Sequence, residues 1–254
     1  MRCYYINLDR AEERRAHMEQ ALAGLDHARV AAVDGRLRPP TEKGPTRFEI
    51  ACLESHRAAW RAFLATPDSF ACFLEDDVHF SPDYADFVTR EDWIPADADA
   101  VKLDTFYNRV MLGAPAPTPL GRSLALLYTR HESCACYILS RRGAETFLRQ
   151  TEAPNLPVDY IVFPEDPIGR SLRLYQLAPA VAIQDQLLVK KDAGGENFSS
   201  DISRLDAPKK KNKRTALFTL KRETFRLYKQ IFKARLYLAN RLMRGLKPEI
   251  IPFR

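Results

Sequence analysis

Phe70-Ala71-Cys72-Phe73-Leu74-Glu75-Asp76-Asp77 decides the fold. An apolar run ends abruptly in three carboxylates. A short run of this kind, bounded by polar residues, reads as a buried strand. Carboxylates at the end of an inner strand of an α/β sheet face the crevice where such folds bind ligands. Three anions held close repel one another unless a cation or donors neutralise them. The economical occupant is Mg²⁺ or Mn²⁺, held by oxygen ligands together with a phosphorylated substrate. Side chains alternate along a strand, so Glu75 and Asp77 are expected on one face and Asp76 on the other. The alternative is a solvated acidic turn capping the helix after Pro82.

Outward from this stretch, strands and helices alternate, which argues for an α/β architecture. Cys3–Leu8 and Val30–Val33 read as strands, with a helix from Asp9 between them. Glu49–Ala65 reads as a helix with Ile50, Leu53, Trp60, Phe63 and Leu64 as apolar anchors. Pro82 is expected at the first position of a further helix. Ala100–Leu103 and Ser133–Leu139 read as strands, and a helix is expected to follow Pro157. The prolines of Gly113–Gly121 predict an irregular surface loop.

Composition sets limits. With 254 residues, 46% hydrophobic, the chain can bury a substantial core. No apolar run approaches the roughly 18 residues of a membrane span, and the N-terminus reads as a first strand rather than a signal peptide. The five cysteines form no Cys-x-x-Cys pair and fit a reducing compartment. Cys134 and Cys136 are expected on one face of a strand. The net charge of +6 is uneven: residues 209–254 hold 15 basic and 2 acidic residues, leaving a mildly acidic body. Residues 192–214 read as a mobile linker.

Other groups could carry chemistry. The first strand ends at Asn7, Leu8 and Arg10, with Arg14 and Arg15 nearby, and arginine suits bidentate phosphate binding. No glycine-rich phosphate loop is present, which counts against Walker and dinucleotide sites and against phosphoryl transfer. His56 could donate to a phosphate or substrate, or be an ordinary hydrogen-bonded helix histidine. Asp159 could be a general base, or a helix cap after Pro157. Glu165 and Asp166 are fallbacks for the base.

Six segments in order carry a resemblance: Tyr5-Ile-Asn-Leu-Asp-Arg10 with Arg14; Ala32-Val-Asp-Gly35; Glu49-Ile-Ala-Cys52-Leu-Glu-Ser55-His56; Phe73-Leu-Glu-Asp-Asp77; Cys136-Tyr-Ile-Leu-Ser140-Arg-Arg-Gly-Ala144; and Pro157-Val-Asp159. Together they resemble glycosyltransferase family 25, the lipopolysaccharide sugar transferases that also include collagen galactosyltransferases. Ala51 and Glu54 depart from the usual pattern. The resemblance implies a GT-A-like fold and inverting transfer, in many members of galactose from UDP-galactose, onto a cell-envelope glycan or glycolipid. By carry-over Asp77, with Glu75, would hold Mn²⁺ or Mg²⁺, and Glu75 or Asp76 would contact the donor ribose or sugar. Asn7, Leu8, Arg10, Arg14, Asp34, Ser55, His56 and Lys102 would complete the donor site. Asp159 is the expected base, with Asp166 behind it. A non-catalytic protein of the same fold is the reading from another class.

The expected organisation is a glycosyltransferase domain over 1–205, a basic linker over 206–214 and an amphipathic helical tail over 215–254. Phe218, Phe225 and Phe232 recur every seven residues within a broad apolar stripe. Such a cationic helix suits an anionic membrane surface, reached through residues 209–246. A cytoplasmic protein, peripheral on the inner face of the cytoplasmic membrane, is expected. Packing on the body or on a second subunit is the alternative. Nucleic acid is not expected, because no recognised binding module accompanies the charge.

Overall fold

The structure, a computed structural model, describes residues 1–42, 44–153, 156–188 and 216–254; of residues 216–223, 225 and 229 the backbone alone is described. The expected linker, the basic run 209–214 and the side chains of Phe218 and Phe225 lie outside the described residues.

The centre is an eight-stranded mixed sheet in the order β2 (His27–Ala31), β1 (Arg2–Asn7), β3 (Phe70–Glu75), β10 (Cys136–Ser140), β5 (Ala100–Lys102), β11 (Leu174–Ala178), β9 (Ser123–Leu126), β8 (Ala116–Pro117). Strands β2, β1 and β3 run parallel, and β10 is antiparallel to both β3 and β5. Period-two alternation sorts the core. Tyr4, Phe73 and Tyr137 face one side with Trp60 and Phe63, while Cys3, Cys72 and Cys136 face the other with Met18, Tyr84 and Phe87. Helix α2 (Arg47–Leu64) packs on the first side. Helices α1 (Glu12–Ala21) and α3 (Tyr84–Val88) pack on the second. The cysteines are free.

Local chemistry explains the helix starts. Thr46 and Glu49 form a capping box at the head of α2. Ser140 accepts from Gly143 N (3.1 Å) to start α4 (Arg141–Gln150). A Cβ on Gly143 would lie 2.0 Å from the Asp99 carbonyl oxygen, so this position admits no side chain.

Four expectations are corrected. Pro82 lies just outside its helix, because Asp83 is the residue at the cap of α3. Within Gly113–Gly121, Ala116–Pro117 pairs as the outermost strand, where proline's missing N–H costs no ladder bond. Cys134 and Cys136 lie on opposite sides of the sheet, because regular strand geometry starts only at Cys136. The end of the chain is not part of a separate tail. After the long C-terminal helix (Ala216–Arg244), β13 (Pro248–Ile250) pairs with β7 (Arg109–Met111), and Ile251 is buried in the core.

A smaller sheet, β4 (Val78–Phe80), β12 (Ala182–Gln184) and β6 (Asp104–Thr105), lies beyond the end of β3. It brings Gln184 against the acidic triplet.

Candidate active site

The carboxyl ends of β1 and β3 open into a cavity of about 440 Å³. Its lining brings together Leu8, Arg10, Arg14, Asp34, Ser55, His56, Glu75, Asp76, Asp77 and Asp159 from the expected set. Alternation does not divide the triplet. Strand β3 stops at Glu75, and Asp76 and Asp77 form the turn into β4, so all three carboxylates border one cavity.

Each carboxylate has a different environment. Glu75 Oε2 accepts from Gln184 Nε2 at 2.9 Å. Asp76 accepts from Arg14 at 2.8 Å and from Asn7 Nδ2 at 2.7 Å. Burial raises the Asp76 carboxyl above its ordinary value, with Arg14 and Asn7 opposing. Asp77 Oδ1 is shielded from solvent and has no hydrogen-bond partner among the described residues. Its carboxyl is pushed up to about 8, first by burial and then by the charges of Glu75 and Asp76. A divalent cation would relieve that repulsion and occupy the orphaned oxygen. The triplet supplies only oxygen donors, which fit Mn²⁺ or Mg²⁺.

His56 faces the triplet from α2. Trp60 Nε1 donates to the Tyr137 hydroxyl at 2.9 Å, and that hydroxyl lies 2.8 Å from His56 Nδ1. An indole N–H can only donate, so the hydroxyl accepts there. Tyr137 is fully buried, and among the described residues His56 is the acceptor available to its proton. We therefore assign Nδ1 as acceptor and place the imidazole proton on Nε2. Nε2 is buried without a hydrogen-bond partner among the described residues and lies 3.6 Å from Glu75 Oε1, too far for a hydrogen bond. The pocket thus holds an N–H donor directed at ligand space. Cys52, His56 and Glu75 also place possible ligand atoms within 4.8 Å of one another. A protonated Nε2 cannot ligate, which disfavours a metal there.

Asp159 lies in the first turn of α5 (Val158–Val162) and lines the cavity. No side-chain cap is made at this helix start, so the capping alternative is not realised. Burial raises its carboxyl above the usual range, while Arg130 and Lys102 pull it down. A carboxylate of raised basicity beside open ligand space can accept a proton from a hydroxyl.

Three expected residues stand elsewhere. Asn7 is buried behind the cavity, where it donates to Asp76 and the Ala11 carbonyl and accepts from Arg29 at 3.0 Å. It positions Asp76 rather than lining the donor space. Lys102 is fully buried on the inner strand β5, with Nζ donating to Asp104 (2.8 Å) and the Ser133 carbonyl (2.6 Å). Its ammonium is consumed inside the core and reaches Asp159 only through its field. Asp166 accepts from Gly169 N at 2.9 Å and caps a tight turn outside the cavity. Glu165 pairs with Lys233 at 2.9 Å. Ser55 does line the cavity, but its hydroxyl links α2 to Val33 N. Glu54 pairs with Arg38, which accounts for a carboxylate at that position.

Sequence reading missed Gln184, Tyr137 and Glu132. Gln184 had a usable signal: Val181-Ala182-Ile183 is another apolar run that ends in polar residues. Tyr137 had none, since its hydroxyl is significant only once β10 lies under α2.

The model of Glycosyltransferase family 25 (LPS biosynthesis protein) matches residues 1–162. A Lacto-N-neotetraose biosynthesis glycosyltransferase LgtB of Neisseria meningitidis is 27% identical over 211 residues, covering 73% of this chain and 75% of its own. An LgtE of the same name and species is 25% identical over 249 residues, covering 87% and 88%. A solved glycosyltransferase involved in glycosylation of the major capsid of PBCV-1 aligns at a TM-score of 0.41 and 11% identity, covering 72% of this chain and 91% of that one. The family match covers β1, α2, β3, the acidic turn and α5, with Gln184 beyond its end, and the chain belongs to glycosyltransferase family 25.

Proposed function

We propose that this glycosyltransferase is metal-dependent and GT-A-like, and that it transfers a sugar with inversion from a nucleotide diphosphate donor to a lipopolysaccharide or other cell-envelope glycan. UDP-galactose is the donor we favour, in line with the family resemblance and with relatives named for lacto-N-neotetraose biosynthesis. The observation that carries the reading is the orphaned Asp77 oxygen, in a three-carboxylate turn that shares one cavity with His56 and Asp159.

The chemistry follows from charge. As the glycosidic bond breaks, its electron pair leaves with the diphosphate oxygen. A Mn²⁺ or Mg²⁺ ion on Asp77 and Glu75 would stabilise that developing charge. Arg14 holds Asp76 in place and adds positive field at the same edge. The His56 Nε2–H offers a hydrogen bond to a donor oxygen. Asp159 takes the proton from the acceptor hydroxyl as its oxygen bonds to the anomeric carbon.

The test is release of UDP from UDP-galactose, and transfer to octyl glycosides, with and without Mn²⁺. Asp77→Asn should lower turnover by about 100-fold or more. Asp159→Asn should lose transfer while the protein still binds UDP. Turnover that survives both chelation and Asp77→Asn would overturn the metal role.

We also propose an anionic membrane surface as a partner of the C-terminal helix. Asn240 is buried, and Lys233 and Arg244 reach Glu165 and Tyr128 on the body. Helical spacing puts Leu227, Ile231, Leu238 and Leu242 on the opposite face, where each is half or more exposed. The apolar stripe therefore points away from the enzyme, which supports a membrane over packing on the body. No helix among the described residues is long and apolar enough to cross a membrane.

A further inference from the structure

A second cavity, of about 430 Å³, lies between the C-terminal helix and the body. Asn108, Arg130, Glu132 and Glu165 line its body side, and Lys233 and Tyr237 its helix side. We infer that this cleft binds the acceptor saccharide, next to the reaction cavity; the inference rests on the glycosyl-transfer reading above.

Position is the first argument. Glu132 lines both cavities, so the segment around it is a wall shared by the two. Asp159 lies on the reaction side of that wall, and Arg130 on the cleft side acts on the Asp159 carboxyl. Arg130 also stacks on the ring of Tyr160, the residue after Asp159, at 3.7 Å. The cleft therefore lies next to the proposed base, with the Arg130–Glu132 pair at the wall between them. An inverting reaction needs the acceptor to approach from the base's side.

Chemistry is the second. The cleft's charges are largely cancelled in pairs: Arg130 donates to Glu132 at 2.5 Å, and Lys233 lies 2.9 Å from Glu165. One further cation, Arg109, lies at the rim. Such balance gives little attraction for a diphosphate but leaves many directional donors and acceptors for a neutral, hydroxyl-rich ligand. Asn108 adds a specific one. Its amide nitrogen donates to the Arg130 carbonyl at 3.2 Å, while its buried Oδ1 has no partner among the described residues. Tyr237 supplies an aromatic surface, half-exposed on the helix, of the kind that packs on a sugar ring.

The helix gives a third argument. The same helix walls the cleft on one side and carries the outward apolar stripe on the other. The helix that would meet a membrane is thus also a wall of the cleft.

Saturation-transfer NMR on the full chain with Mn²⁺ tests this, using UDP, octyl glucoside, octyl N-acetylglucosaminide and octyl lactoside as probes. Wild type should transfer saturation to sugar-ring protons of at least one glycoside. Tyr237→Ala, and separately Asn108→Ala, should weaken that glycoside by about fivefold or more, the effect of losing one ordinary contact. UDP should keep its signal. Tyr237 is a half-exposed helix residue, so its variant tests the cleft without disturbing the core. Ring protons of every glycoside left unsaturated in wild type, or saturated equally in both variants, would overturn the inference. Failure of UDP to bind wild type would instead count against the nucleotide-sugar reading.

Discussion

At the scale of single residues, Asp77 carries the most information. Its folded-state carboxyl is raised to about 8, well above an unfolded aspartate. A carboxyl raised by folding favours the protonated form. Its contribution to stability is fully present below the unfolded value and is lost as pH rises toward 8. The metal-free protein should therefore lose stability through this group between about pH 4 and pH 8. Asp77→Asn removes the cost of protonating this carboxyl on folding and should raise the metal-free Tm at pH 7, by about 2–4 °C for each kcal/mol relieved. The same variant should lose the stabilisation that Mn²⁺ gives wild type. Differential scanning fluorimetry over that pH range, with and without Mn²⁺, measures both effects. A variant that melts lower than wild type at pH 7 without metal would show that Asp77 is not under repulsion. The triplet was legible in the sequence because an apolar strand cannot end in three carboxylates without a reason. Lys102, at a strand end, and Asp166, close in sequence to Asp159, stand outside the cavity because proximity along the chain does not give direction. Lys102 is turned into the core by strand alternation, where Asp104 neutralises it. Asp166 is turned onto its own backbone.

At the scale of elements, β10 and α2 are linked by more than packing. Tyr137 on the strand accepts the Trp60 hydrogen bond and donates its own to His56, so one hydroxyl fixes two helix residues. Strands and helices were mostly visible from their periods, with ends displaced by a few residues. This link was not, because it depends on β10 entering the sheet antiparallel between β3 and β5. Tyr137→Phe keeps the ring's packing and removes the hydroxyl. Wild-type His56 should show a single Nε2–H tautomer in long-range ¹H–¹⁵N spectra. The variant should show a mixture, with donor kcat/KM lower by about tenfold, the cost of about one misplaced hydrogen bond. A pure Nε2–H tautomer in the variant would remove Tyr137 from this role.

At the scale of the whole molecule, the basic tail and the enzyme are one construction. The sequence suggested an appendage over 215–254, because nothing in Pro248-Glu249-Ile250 says that it pairs with Arg109–Met111. The structure ties the chain's end back into the body, where the Arg254 carbonyl accepts from Arg122 at 2.7 Å. Cutting the chain before the helix would also remove β13 and Ile251, so binding by the tail is better tested in the full chain. The segment Ala216–Arg244 holds eight basic residues and one acidic, and its outward stripe is apolar. Burying that stripe in a bilayer interface and setting the flanking cations against anionic headgroups use both features together. Replacing Leu227, Ile231, Leu238 and Leu242 with serine should leave the fold intact, since all four are exposed. Co-sedimentation with phosphatidylcholine vesicles containing about one-third phosphatidylglycerol should then weaken by about 100-fold or more. Wild-type binding should also fall in about 0.5 M salt, where screening shortens the reach of the cations. Undiminished binding of the fourfold variant would move the contact elsewhere. A shift of wild type from dimer to monomer on the same substitutions, without vesicles, would assign the stripe to a second copy of the chain instead.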